Sequence, residues 1–339
     1  MSHITAASPV PIVAILGPTA SGKSALGVYL AERVGGEILA CDSTQVYRGF
    51  DIGTAKPSTA ERRNVPHHLL DLVDPAELFT AGEYRRRAEL VLADLRSRGR
   101  LPILTVGTGL YLRALLEGLA DAPERSADLR ARLEARAAAR GPEYLHRILA
   151  RIDPVAARRI APRDRQKIVR AIEISLLAGK PVTEVHRGGR DPLAGYAAIR
   201  IGLDPARAAL YQRIERRTQE MLAHGWLDEV AQLMRGGVPA HSKPFEFIGY
   251  RALREYLEGR ASLADSTAAI VQATRRYAKR QLTWFRREPE VTWLAGFGDD
   301  PAIADAAEQL IAARIAELRS AAEDVSSDRA AATRSRADV

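Results

Sequence analysis

Residues 17–24 read Gly17-Pro18-Thr19-Ala20-Ser21-Gly22-Lys23-Ser24 and satisfy G-x-x-x-x-G-K-[ST] at every fixed position. Glycines reach backbone conformations closed to other residues, so successive N–H groups turn inward around phosphate oxygens. A helix starting at the end of such a loop aims its free N–H groups and positive dipole end at the same anion. Lys23 adds a mobile positive charge, and the Ser24 hydroxyl is a ligand for Mg2+. The motif needs a strand before it and a helix after it. Ile12-Val13-Ala14-Ile15-Leu16 is a short apolar run between Pro11 and Gly17, the pattern of a strand buried on both faces. Ala25, Leu26, Val28, Tyr29, Leu30 and Val34 then recur at helical spacing until Gly35-Gly36 ends the helix.

The alternation continues. Glu37-Ile38-Leu39-Ala40-Cys41 reads as a second strand ending at Asp42, and Ile103-Leu104-Thr105-Val106 as a third. Between them residues 81–98 carry Tyr84, Ala88, Val91, Leu92 and Leu95 on one helical face. Strands alternating with such helices predict βαβ units and an α/β fold: a P-loop NTPase-like parallel sheet flanked by helices. Residues 1–117 form the first part of that core. From Gly118 the chain becomes Arg/Ala/Glu-rich, with helical stretches at 126–140, 143–152 and 164–177. This predicts an inserted all-helical domain over 118–197. Ala198-Ile199-Arg200-Ile201-Gly202-Leu203 reads as a strand returning to the sheet, opening a second core segment over 198–318. Helices at 207–224 and 263–287 follow it. Residues 319–339 are Ser/Ala/Asp/Arg-rich without periodicity, which predicts a disordered tail.

An NTP-hydrolysing loop of this kind needs an acidic residue at the end of another strand to hold the metal. Val106 is followed by Gly107-Thr108-Gly109, with no acid. Asp42 ends the other candidate strand, within a polar segment expected at the sheet's C-terminal edge, where open α/β sheets bind ligands. The loop therefore grips a diphosphate or triphosphate without the complete hydrolytic set. Composition adds little: 50 basic against 42 acidic residues give +8, a hint of a polyanionic partner. No run of about 18 apolar residues is present, and residues 1–11 lack a basic, then long apolar, secretory pattern. A single cysteine, Cys41, fits a reducing compartment, so a cytoplasmic protein without membrane association is expected. His67 and His68 have no third ligand at zinc spacing. Trp226, Trp284 and Trp293 are expected to pack rather than to stack on bases.

Beyond the phosphate loop, Asp42-Ser43-Thr44-Gln45-Val46-Tyr47 and Asp51-Ile52-Gly53-Thr54-Ala55-Lys56-Pro57 resemble the tRNA dimethylallyltransferases (tRNA isopentenyltransferases). So do Pro66-His67-His68-Leu69-Leu70-Asp71, Gly107-Thr108-Gly109-Leu110-Tyr111, Ile248-Gly249-Tyr250-Arg251 and Ala273-Thr274-Arg275-Arg276-Tyr277-Ala278-Lys279-Arg280. The blocks keep the family's order over roughly Pro11 to Trp293. Val106 departs from the pattern, since the family usually has a glycine there. The zinc-finger tail of eukaryotic members is absent, so the resemblance is to the bacterial type. It implies transfer of a dimethylallyl group from dimethylallyl diphosphate to N6 of the adenosine 3′-adjacent to the tRNA anticodon. It also implies Mg2+ as cofactor and release of diphosphate, so the same cradle would hold a prenyl diphosphate.

The exocyclic amine of adenine is a poor nucleophile, and a nearby carboxylate can take its proton as the C–N bond forms. Asp42 is the candidate base, as the resemblance also implies. Lys23, the loop amides and Mg2+ at Ser24 would face the departing diphosphate, and Thr108 would donate to the leaving oxygen. Arg217, on a helix with Arg213 and Arg216, resembles the family's diphosphate-binding arginine; choosing 217 over 213 rests on the resemblance alone. Among residues 270–287 there is no acid, and Ile270, Thr274, Tyr277, Ala278, Leu282 and Phe285 share one helical face. Arg275, Arg276, Lys279 and Arg280 lie off it, a basic surface suited to RNA phosphates. The resemblance assigns further tRNA contacts to Asp42, Ser43, Thr44, Gln45 and Thr108, to Gln166-Lys167-Ile168-Val169-Arg170, to Ile248 through Arg251, and to Arg130. The expected partner is the anticodon stem-loop, bound by a monomer. The alternative is an adenylate isopentenyltransferase acting on free AMP, ADP or ATP, which needs neither the helical insertion nor the basic helix.

Overall fold

Strand β1 (Val10–Leu16) runs through the middle of one parallel sheet that also holds β2 (Gly36–Cys41), β3 (His67–His68), β4 (Leu101–Val106), β5 (Tyr196–Leu203) and β6 (Val291–Leu294). The computed structural model describes residues 9–337. The strand order is β3-β2-β4-β1-β5-β6. Register is fixed by Val13 opposite Ile103 on one side of β1 and by Ile12 opposite Ala198 on the other. The chain builds outward from β1 to β3, returns with β4, and continues beyond β1 with β5. A crevice therefore forms at the C-terminal end of β1, where the winding reverses. The four strands read from apolar runs are all present. β3 and β6 were missed because two and four residues are too few for a pattern to emerge.

Both faces of the sheet are covered, which is why its strands are apolar without alternation. Val13, Ile15, Ile38, Ile103 and Ile201 pack with Leu26, Val28 and Leu30 of helix Lys23–Val34, and with Ala304, Ala307 and Ile311. The last three belong to helix Pro301–Ala337. Residues from 319 onward, expected to be disordered, continue this helix to Ala337. The run contains strong helix formers and neither Gly nor Pro after Pro301, so nothing in it stops a helix already started. Helix Ala81–Ser97 packs on β4.

The chain divides into two compact units, one of which is Leu116–Leu193. The expected limits were 118 and 197; the upper one falls earlier because β5 starts at Tyr196, opposite Val10. This unit is all-helical and has its own core, including Leu133, Leu145, Leu149, Ile168 and Ile172. Its buried Glu173 accepts from Ser126 N at 2.8 Å and from Arg170 at 2.7 Å. Leu193 N donates to Leu116 O at 3.1 Å, closing the unit at its ends. Among the described residues no helix is long and apolar enough to cross a membrane.

Candidate active site

The phosphate loop leaves β1 and ends at Gly22, whose φ of 88° caps helix Lys23–Val34. That conformation favours glycine. Space demands it too, because a Cβ on Gly22 would lie 2.6 Å from Asp299 Oδ1 and 2.7 Å from Gly298 N. Lys23 Nζ folds back onto the loop, donating to Gly17 O at 2.9 Å and Pro18 O at 2.8 Å. Burial pushes its pKa down to about 7, with Asp42 opposing the shift and Arg217 adding to it. A negative charge brought beside it would raise that value and favour the ammonium.

The second wall comes from the ends of β2 and β4. Asp42 Oδ1 accepts from Thr44 N at 2.8 Å and Thr44 Oγ1 at 2.7 Å. Its other oxygen rests on Gly107, where a Cβ would come within 1.9 Å of Oδ2. Thr108 Oγ1 accepts from Ser43 N at 3.0 Å and donates to Ser43 Oγ at 3.1 Å, tying the two strand ends together. Gln45 Nε2 donates to Thr54 O and Ala55 O at 3.2 and 3.1 Å, fastening the next loop beside them. Glu229 accepts from Asp51 N and Ile52 N at 2.9 and 2.7 Å and braces that loop from the other side.

Two cavities meet here. One, of about 290 Å3, is lined by Lys23, Ser24, Asp42, Arg213, Arg217 and Gln281 among others. The other, of about 320 Å3, has a more apolar wall that includes Met221, Trp226, Phe247, Ile248 and Ile270. Asp42, Arg217 and Tyr277 line both. Arg213 is held by Asp299 through two bonds of 2.7 and 2.9 Å. Arg217, one turn later, makes no ion pair among the described residues, and burial, with Arg213 nearby, lowers its pKa. The spatial distinction between the two arginines, invisible in the sequence, is therefore clear: 213 is engaged and 217 is open to the cavity.

A profile of the family described as IPP transferase matches residues 45–288. A tRNA dimethylallyltransferase of Koribacter versatilis is 56% identical to this chain, over 88% of it and 96% of the relative. The chain belongs to the IPP transferase family. A tRNA dimethylallyltransferase of Geobacter metallireducens is 49% identical, over 84% of this chain and 92% of its own. The crystal structure of a tRNA isopentenylpyrophosphate transferase from Bacillus halodurans matches with a TM-score of 0.68 at 38% identity, covering 91% of this chain and 98% of that one. A eukaryotic dimethylallyltransferase captured acting on tRNA matches with a TM-score of 0.74 at 26% identity, covering 86% of this chain and 75% of that one.

Within this IPP transferase, the residues expected to face RNA divide into exposed and buried sets. Arg276, Lys279 and Arg280 of helix Leu263–Phe285 are exposed. Arg280 lies over the Tyr277 ring at 5.6 Å, and Arg275 pairs with Glu215 at 3.0 Å. Gln166 and Lys167 are exposed, but Ile168 and Val169 are core residues of the insertion rather than surface contacts. They occupy the inward face of helix Arg165–Ala178, so only the members of that block on the opposite face reach solvent. Arg130 and Arg170 share the buried Glu173, at 3.3 and 2.7 Å. Tyr250 was also expected at the RNA surface and is wholly buried, its hydroxyl donating to Glu229 at 2.7 Å. A Cβ on Gly249 would fall 2.0 Å from the Trp226 ring, so that glycine supports packing as well. Arg251 is exposed and paired with Glu255. Trp226 is buried, and Trp293 packs over Gly202. Trp284 keeps 39% of its surface exposed beside the Arg113 guanidinium. His68 is engaged by Glu37 at 2.7 Å.

Sequence reasoning missed Gln281 and Asp299. Gln281 interrupts the apolar face of its helix one turn after Tyr277, and that polar insertion was the available signal. Asp299 follows β6, an element too short to read, and nothing marked it.

Proposed function

We propose that this chain transfers a dimethylallyl group from dimethylallyl diphosphate to N6 of the adenosine 3′-adjacent to the tRNA anticodon. The products are N6-isopentenyladenosine in tRNA and diphosphate. The observation that carries the reading is the position of Asp42, where a cation-lined cavity meets an apolar one. That is the arrangement a donor with a charged leaving group and a hydrocarbon chain requires. The names of the relatives and of the solved neighbours point the same way.

The diphosphate binds against the N–H groups that open helix Lys23–Val34, with Lys23 and Arg217 supplying charge. The C–O bond of the donor breaks, its electron pair leaves with the diphosphate, and N6 forms the new C–N bond. Asp42 accepts the N6 proton in that step. Lys23 and Arg217 stabilise the charge that builds on the leaving oxygens, and the Thr108 hydroxyl joins them by turning its proton from Ser43 Oγ to the diphosphate. Among the described residues no cluster of three or more His, Cys, Asp or Glu could enclose a metal. The exposed Ser24 hydroxyl at the cavity edge nevertheless fits Mg2+, which takes one or two protein oxygens and fills its sphere with phosphate oxygens and water. When bound, Mg2+ would neutralise part of the diphosphate charge. The anticodon stem-loop meets the exposed cations Arg276, Lys279 and Arg280, with Gln166, Lys167 and Arg251 as further contacts. The target base leaves its stack to reach Asp42. The protein acts as a monomer in the cytoplasm.

The test is transfer of label from dimethylallyl diphosphate, with Mg2+, to unmodified tRNA and to AMP in parallel. Label in tRNA alone is the expected result. Label in AMP alone would replace this reading with cytokinin synthesis, and label in neither would refute the prenyl donor.

A further inference from the structure

Gln281 sits on the inward side of helix Leu263–Phe285, between Ala278 and Phe285, and is only 6% exposed. Both ends of its amide are used. Oε1 accepts from Thr19 N at 2.7 Å, and Nε2 donates to Gly107 O at 2.8 Å. Thr19 belongs to the phosphate loop, and Gly107 is the residue against which the Asp42 carboxylate rests. Tyr277, one turn earlier, donates to the same Gly107 carbonyl at 3.2 Å. The Thr19 N–H is therefore committed to Gln281 and not offered to an anion. The Gly107 peptide, doubly held, is a fixed support for Asp42. One amide thus spans the two groups whose separation decides whether the leaving diphosphate and the base act on the same donor–acceptor pair.

We infer that Gln281 is a positioning residue, setting the distance between the phosphate loop and Asp42 through its bonds to Thr19 and Gly107. The inference rests on the reaction proposed above and extends it to a residue that touches no reacting atom. The side chain is specific for the task. Leucine has neither donor nor acceptor. An ionised glutamate offers only acceptors and turns a lone pair on the Gly107 carbonyl oxygen. A protonated glutamate restores one donor and one acceptor in nearly the same shape. Misplacing reacting groups by about an ångström costs up to about a hundredfold in rate, so loosening this brace should be visible in turnover.

The experiment compares wild type, Gln281→Leu and Gln281→Glu in single-turnover transfer, tRNA affinity and inorganic diphosphate affinity, from mildly acidic to mildly alkaline pH. Gln281→Leu is expected to slow transfer on the order of tenfold to a hundredfold with tRNA affinity unchanged. For Gln281→Glu, the rate relative to wild type is expected to rise as pH falls, because protonation recreates the amide's bonding pattern. Lys23, Arg213, Arg216 and Arg217, facing Asp42, Glu61 and Glu220, share this cavity wall with Tyr277. All are present in every variant, and Gln281→Leu, which brings no charge into the cavity, separates loss of the bonds from the effect of a new carboxylate on Lys23 and the diphosphate. A leucine variant at wild-type rate, a flat ratio, or a loss confined to tRNA affinity would overturn the inference. Should Gln281→Leu fail to fold, Tyr277→Phe removes the second donor to Gly107 and is expected to lower the rate less, again without affecting tRNA affinity; an unchanged rate would count against the brace. Diphosphate affinity separates the two readings. If wild type transfers nothing to tRNA, the reaction is wrong, yet a diphosphate affinity that is lowered in Gln281→Leu, which adds no charge, and that recovers towards wild type at low pH in Gln281→Glu still supports the brace. A pH-independent difference sinks it.

Discussion

Asp42 and Lys23 carry opposite charges into one cavity, and each makes a separate prediction. In Asp42→Asn the amide oxygen can still accept both Thr44 bonds, so the turn survives while the carboxylate proposed as base is lost. Turnover is expected to fall by at least about two powers of ten, the scale of a removed general base, with tRNA affinity retained; near-normal turnover would show that another group takes the proton. Lys23 is held at about 7 by burial. A cation with a depressed pKa is charged below that value and loses its proton as pH rises through it. Diphosphate affinity should therefore decline above neutrality, and binding there should take up a proton at Lys23. Calorimetry in buffers of different ionisation enthalpy measures that uptake. Lys23→Met is expected to lose this portion while keeping the part due to diphosphate itself; equal uptake by the two proteins would mean that Lys23 is already charged before binding. Both residues were legible in the sequence because short-range patterns mark them, a glycine loop for one and a strand end for the other. Which of the two arginines stays open was not legible, because Arg213 is engaged by Asp299, 86 residues away.

Helix Leu263–Phe285 does two jobs with two faces. Its inward face carries Ile270, Ala278 and Phe285 into the core and Gln281 to the strand-end loops, while its outward face keeps Arg276 and Lys279 exposed without an ion-pair partner among the described residues. The basic face was readable from the lack of acids over 270–287, since unbalanced charge on one element has few structural uses. The corresponding reading failed for Ile168, Val169 and Tyr250, because a contiguous block runs round a helix, which carries some of its members to the inward face. Arg280 shares the wall of the apolar cavity, so the cleaner probe of RNA contact is Arg276→Ala with Lys279→Ala. The double variant is expected to weaken tRNA binding and to reduce the slope of log affinity against log salt by about 2, leaving diphosphate affinity unchanged. A salt slope equal to that of wild type would take this helix out of the interface.

The molecule joins a catalytic sheet to a helical insertion that has its own core, and that division is itself testable. Among the described residues, none of the buried members of the sheet core cluster around Val13, Ile15 and Leu26 comes from residues 116–193, and none in the insertion core comes from outside them. The ends of the insertion, Leu116 and Leu193, are hydrogen-bonded to each other, so a few flexible residues suffice to close the gap left by its removal. Replacing residues 117–192 with a short Gly/Ser linker is therefore expected to leave a folded, cooperatively unfolding protein. Its diphosphate affinity should equal that of the full chain, because Lys23, Ser24, Asp42 and Arg217 all lie outside the deleted segment. tRNA affinity should fall, because Gln166 and Lys167 go with it. Calorimetric titration with diphosphate and filter binding with tRNA measure the two separately. If diphosphate affinity also collapses, the sheet needs the insertion to hold its site. If tRNA affinity is unchanged, the basic helix alone carries the RNA, and the insertion's exposed cations are a solvated surface.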